Sequence, residues 1–138
     1  MSLSADERKA IVDFRIEKAR RAFEQAQGVV ELEYWETIAN RLYYAAYNAV
    51  SALLIAYGYT AHSHNGVISI FGQYFVQPGI VEVKEGKLYH HLFSMRLTGD
   101  YDDTYGLTSE DVLPLIAPAS ELIDKVIALT NAKMAEVE

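Results

Sequence analysis

Arg96, Asp100 and Tyr101 are the residues whose types and spacing best suit chemistry. On a helix, Arg96 and Asp100 are i, i+4 neighbours, and Tyr89 and Phe93 precede Arg96 on the same face. A guanidinium beside aromatic rings and a carboxylate, at a helix end, suits contact with a phosphate or a ribose. The same spacing equally suits an internal Arg96–Asp100 ion pair that also holds Arg41 or the acidic pair Asp102 and Asp103 in place. Spacing alone leaves both uses open.

Other chemistries fail on inspection. Gly86-Lys87 is followed by Leu88, lacks the upstream glycine and has no strand before it, so it is not a phosphate loop. The histidine pairs are His62 with His64 and His90 with His91. On a helix the rings of His90 and His91 diverge by about 100°, which rules against a shared metal. His62 and His64 could approach one another in a loop, but no carboxylate nearby completes a site. There is no cysteine, which removes thiolate metal sites, disulfides and Cys nucleophiles. No nucleophile elbow, HExxH or calcium loop is present. No metal and no cofactor are expected.

The formal charge of −7 shapes the choice of partner. An acidic chain has no global basic surface to neutralise phosphates, so extended duplex binding is not expected. Contact with RNA or a nucleotide must be local, built from a few cations in a cleft.

The elements that must position these residues read as helices. Val12, Ile16, Ala19, Phe23, Ala26 and Val30 repeat with helical spacing and predict a first helix from about Ala5 to Gln27, capped by Ser4 and stopped at Gly28. A second helix, about Tyr34 to Tyr57, carries two adjacent apolar stripes. One is Ile38, Leu42, Ala45, Ala49, Ala52 and Ala56; the other is Tyr43, Tyr47, Val50, Leu54 and Tyr57. A helix apolar over so much of its circumference is central to a bundle. One strip of it is polar: Asn40, Arg41, Tyr44 and Asn48. Buried polar groups need partners, and the nearest unspent donors lie in the loop His62–Gly66, which is expected beside this strip.

Ser63 should cap a short third helix filled by Val67, Ile68, Phe71, Tyr74 and Phe75 and ended at Pro78-Gly79. The fourth helix, about Glu82 to Asp100, carries Leu88, Leu92 and Met95 beside Tyr89, Phe93 and Arg96. Thr108 and Asp111 resemble a capping box that opens a last helix running to about Ala132. Pro114 and Pro118 fall inside it and predict a broken or kinked first turn.

With 51% hydrophobic residues in 138, no linker and no repeat, the expectation is a single all-α domain spanning residues 1–138. Ser2–Arg21 is charged and amphipathic, unlike a signal peptide, and no apolar run reaches the roughly 20 residues of a membrane span. A soluble, cytoplasmic protein with no membrane partner is expected. Exposed aromatics in excess of what one bundle hides, among them Trp35, Tyr43, Tyr44, Tyr47, Tyr57 and Tyr59, predict a homodimer.

Several spaced segments together resemble the HEPN family (higher eukaryotes and prokaryotes nucleotide-binding domain), in its small single-domain bacterial and archaeal branch. They are Asn40-Arg-Leu-Tyr-Tyr-Ala-Ala46, Ala52-Leu-Leu54, Ser63-His-Asn-Gly-Val-Ile-Ser69, Phe71, Gly72, Phe75, Arg96 and Gly99-Asp-Tyr-Asp-Asp103. The resemblance covers about residues 5–130. It implies an up-and-down bundle of four long helices plus one short one, usually dimeric. It also implies a partner, a minimal nucleotidyltransferase, with the two acting as toxin and antitoxin. Active members of the family are metal-independent RNases with an Arg-x(4–6)-His motif, in which the Arg stabilises phosphate charge and the His serves acid–base chemistry at the 2′-OH.

Arg96 matches the motif Arg. No His follows in the window, where residues 100 to 103 are Asp, Tyr, Asp and Asp, and Tyr101 stands near the place of the family's His or Tyr. His64 or His91 is left to supply an imidazole. The candidate site set is therefore Arg96 and Tyr101 for catalysis, and Arg96, Asp100, Tyr101, Arg41 and His64 for nucleotide or phosphate binding. Three uses stay open: a nucleotide- or single-stranded-RNA-binding member of a nucleotidyltransferase pair, an RNase with a rearranged site, and a structural interaction module.

Overall fold

The computed structural model describes residues 3–101 and 106–137, with the backbone alone at 99–101 and 137. Its elements are helices, and no strand occurs among the described residues. Helix α1 spans Ala5–Gly28. Ser4 caps it through a reciprocal box: Glu7 N donates to Ser4 Oγ at 3.1 Å, and Ser4 N donates to Glu7 Oε1 at 2.9 Å. A single 3₁₀ turn, Val30–Leu32, follows and ends at Glu33, whose φ of 59° turns the chain into α2. Helix α2 spans Trp35–Ala56, and Gly58 closes it with a φ of 84°, a conformation that glycine adopts without a Cβ clash.

Ser63 Oγ accepts the Gly66 amide at 2.9 Å and starts α3, His64–Phe71. A π-helical turn, Gly72–Val76, extends α3 as far as the Pro78-Gly79 turn. Helix α4 spans Val83–Tyr101 and α5 spans Ser109–Val137. The architecture is four long helices and one short one, an all-α bundle in which α2 touches α1, α3, α4 and α5.

The predicted break in the last helix does not occur, since α5 is continuous through Pro114 and Pro118. The prolines stand four residues apart on an exposed face shared with Glu110. The carbonyls that lose their amide partners, those of Glu110 and Pro114, therefore open to water rather than to the core, and the helix tolerates both. The half of the capping box that forms is the acidic one: Asp111 Oδ2 accepts from Thr108 N at 2.9 Å and from Thr108 Oγ1 at 3.1 Å.

Both predicted stripes of α2 face the core. Ile38, Leu42, Ala45, Ala49, Ala52 and Ala56 are buried, as are Tyr43, Val50 and Leu54. The small residues of the first stripe let α1 approach closely, and Ala52 and Ala56 pack on Val12. The aromatics that predicted a dimer are partly covered within the chain. Tyr43 is fully buried, while Trp35, Tyr44, Tyr47, Tyr57 and Tyr59 are half-buried against the core. Tyrosine rings at these positions have α3 and α4 to pack on, which composition alone does not reveal. The apolar side chains left most open are Val83, Phe14, Leu32 and Tyr34.

Because Ala52 is fully buried against Val12, Ala52→Leu has no room for its added carbons. The substitution should destabilise the bundle by about 1–3 kcal/mol, read as a lowered urea midpoint with an unchanged slope.

Candidate functional site

Helices α2, α3 and α4 bring three of the predicted residues to one place. On α4, one turn after Phe93, the Arg96 guanidinium lies over three rings: its Cζ is 5.4 Å from the centre of Tyr43, 5.7 Å from Tyr44 and 5.8 Å from Phe93. Arg96 Nη1 also reaches the Tyr44 hydroxyl at 3.5 Å. Rings hold a half-buried guanidinium through their negative faces and leave its in-plane N–H fork directed by geometry.

The second guanidinium lies on the same ring. Arg41 Cζ is 5.3 Å from the centre of Tyr44. Its Nε and Nη2 donate to Asn40 Oδ1 at 3.0 and 2.7 Å, and Nη1 donates to Gln25 Oε1 at 3.1 Å on α1. Both of its hydrogen-bond acceptors are neutral amides, so they orient the cation without cancelling its charge. Asn48 Nδ2 donates to the Tyr44 backbone carbonyl at 2.8 Å, and Arg15 Nη1 of α1 donates to Asn48 Oδ1 at 3.1 Å. The polar strip of α2 thus finds its hydrogen-bond partners within the bundle, in α2 itself, in Arg15 and Gln25 of α1 and in Arg96 of α4.

His64, the first residue of α3, completes the group. Its ring centre lies 4.6 Å from Tyr47, 5.6 Å from Tyr43, 6.0 Å from Tyr44 and 6.2 Å from Phe93. Its Nδ1 and the Tyr43 hydroxyl are 2.5 Å apart. The expected loop therefore reaches the strip at Tyr44 through His64, while His62 and Ser63 are exposed. Arg41 finds its polar partners in Asn40 and Gln25 rather than in that loop. Ser63 serves instead as the cap of α3.

Burial and, secondarily, the Arg96 charge push the His64 pKa below its ordinary value, so the ring is neutral near pH 7. Burial raises the Tyr43 hydroxyl well above its ordinary value, opposed by Tyr89 and Arg96, and it keeps its proton. Tyr89, fully buried beneath Tyr43, is raised for the same reason.

Of the predicted set, Arg41, His64 and Arg96 converge. The Asp100 and Tyr101 side chains, and Asp102 and Asp103, lie outside the described residues, so neither the Arg96–Asp100 pair nor a role for Tyr101 is placed. His91 is exposed and lines a different hollow, of about 410 Å³, with Lys87, His90, Tyr89 and Ser94. Sequence reasoning read Tyr43 and Tyr47 as core and left Phe93 as a neighbour in spacing. The use of Tyr43 and Phe93 beneath Arg96, and of Tyr47 against His64, was signalled only by polar residues interrupting the apolar stripes of α2. Among the described residues no group of carboxylates, histidines or cysteines could hold a metal ion. No helix among them is long and apolar enough to cross a membrane.

What the arrangement can do chemically is bind an anion. Two guanidiniums and a neutral imidazole lie 5.3, 5.7 and 6.0 Å from the Tyr44 ring centre, and aromatic rings suit a base or sugar while the N–H donors suit phosphate oxygens. The His64 shift has a stability consequence. Its folded pKa lies below the unfolded value of about 6.5, so the unfolded chain binds more protons as pH falls through that value. Wild-type stability should fall between pH 7.5 and 5.5 more steeply than that of His64→Gln in paired thermal melts. Parallel slopes would contradict the neutral, buried imidazole.

Residues 12–130 match the HEPN domain. A UPF0332 protein of Thermotoga maritima is 33% identical over 121 residues, covering 88% of this chain and 92% of that protein. Two proteins of Methanocaldococcus jannaschii, each named "Putative toxin", are 30% and 26% identical, each over 80% of this chain and over 82% and 75% of their own lengths. The match over nearly the whole bundle agrees with the helical order, and the chain belongs to the HEPN domain family.

Proposed function

We propose that this HEPN chain binds the phosphate of a nucleotide or single-stranded RNA at Arg41, Arg96 and His64, as one member of a toxin–antitoxin pair with a minimal nucleotidyltransferase. The observation that carries this reading is the meeting of the Arg41 and Arg96 guanidiniums on the Tyr44 ring. Each guanidinium carries N–H donors of the kind that bind phosphate oxygens. In a chain of net charge −7 such a concentration of cations is a local exception, which fits a ligand contacted at a point rather than along a surface. The toxin naming of two relatives supports the toxin–antitoxin setting. A homodimer working in the cytoplasm as a single domain completes the proposal, with Phe14, Leu32, Tyr34 and Val83 as the open apolar residues available to an isologous contact.

A second reading has an observation of its own. His64 stands against the same rings as Arg96, so an imidazole is present although the motif His is absent. An RNase with a rearranged site would use Arg96 to stabilise phosphate charge and His64 for proton transfer.

Titration of AMP and of single-stranded RNA into wild type, Arg96→Ala and Lys87→Ala at fixed salt tests the binding role. Arg96→Ala should lose roughly ten- to a hundredfold in affinity, about 1.5–3 kcal/mol, while Lys87→Ala binds like wild type. Equal affinity for wild type and Arg96→Ala would leave Arg96 a structural cation and favour the interaction-module reading. RNA cleavage by wild type that is lost in His64→Gln would favour the second reading.

A further inference from the structure

We infer that Tyr43 is a positioning residue that locks His64 in one neutral tautomer, with Nδ1 as acceptor and Nε2–H as the donor offered to the anion. The inference rests on the binding reading above for its use, and on geometry alone for the lock itself.

Where the protons sit decides between the two tautomers. His64 is packed among Tyr43, Tyr44 and Tyr47 of α2 and Phe93 of α4, with Arg96 of α4 as the neighbouring cation. A second positive charge in that company is disfavoured, so the imidazole carries one proton rather than two. Tyr43 is fully buried and keeps its hydroxyl proton. Two neutral groups 2.5 Å apart share one hydrogen bond, and one of them has to supply the hydrogen.

If Nδ1 carried the imidazole proton, Tyr43 would accept it and would have to spend its own proton elsewhere. The hydroxyl nearest in character, that of Tyr89, is itself buried and makes no well-formed hydrogen bond, although it is close enough to be felt by Tyr43. The reverse arrangement gives the Tyr43 proton an acceptor: Tyr43 donates to Nδ1, the imidazole proton sits on Nε2, and a Tyr43 lone pair stays available to Tyr89. Of the two tautomers, this one leaves fewer buried hydroxyl protons without an acceptor.

The consequence reaches the candidate site. An anion held by Arg96 meets a neutral N–H donor at Nε2, whereas the other tautomer would present a lone pair and repel it. Tyr43, which sequence reasoning assigns to the core, therefore acts on the ligand through His64.

The test is nitrogen-15 spectroscopy of the histidine side chains in the full chain. Wild type, Tyr43→Phe and Tyr89→Phe are compared at pH 7.5 and through an acid titration, with His64→Gln used to assign the signals. Wild type and Tyr89→Phe should show the Nε2–H form alone. Tyr43→Phe should show both tautomers and a His64 midpoint moved up towards the ordinary value. A mixed or Nδ1–H wild-type ring overturns the inference, and this readout survives even if Tyr43→Phe fails to fold. An unchanged tautomer in a folded Tyr43→Phe overturns it as well.

Addition of inorganic phosphate then separates the two levels. A single Nε2–H form whose signal does not move with phosphate, together with wild-type affinity in Arg96→Ala, sinks the binding role and leaves the lock standing.

Discussion

Arg96 sits half inside the bundle, over the rings of Tyr43, Tyr44 and Phe93. A guanidinium withdrawn from water needs compensation, and rings at about cation–π distance contribute to it. This requirement propagates. Tyr43 and Tyr44 have to project from α2 towards α4, which fixes the rotation of α2, and α2 in turn touches every other long helix. The helix at the centre of the core is therefore also the helix that presents the site.

The polar strip of α2 shows how the bundle carries this load. Asn48 is buried, yet it is tied to the Tyr44 carbonyl and to Arg15 of α1. Asn40 and Gln25 hold Arg41 through neutral oxygens. The Asn48 contacts satisfy a buried amide that would otherwise destabilise the core by about 1–3 kcal/mol. None of these side chains places a carboxylate on the guanidinium it orients, so α1 supports the site while sparing its charge.

Much of this was legible in the residues. Helical period marked α1, α2 and α4 to within a residue or two, because their stripes are long and their caps, Ser4 and Gly58 among them, are explicit. Arg41 was legible as part of a polar strip on an apolar helix, Arg96 by its spacing and its match to the motif Arg, and His64 as one of two imidazoles left to serve. Three things were not. The continuity of α5 depends on Pro114 and Pro118 facing water, which sequence does not orient. The placing of the Tyr43 ring beneath Arg96 depends on the packing of α4 against α2, a tertiary fact. The contact of His64 with Tyr43 joins residues 21 apart through the packing of α3 on α2, and no local spacing encodes that distance.

A crystal structure of the chain with bound AMP tests the central claim most directly, because the claim is about where one phosphate goes. The account predicts phosphate oxygens within hydrogen-bond reach of both the Arg41 and Arg96 guanidiniums, beside the Tyr44 ring, with His64 Nε2 as a further donor. AMP phosphate in the hollow lined by Lys87, His90 and His91 instead, with Arg96 unmoved over its three rings, would contradict it.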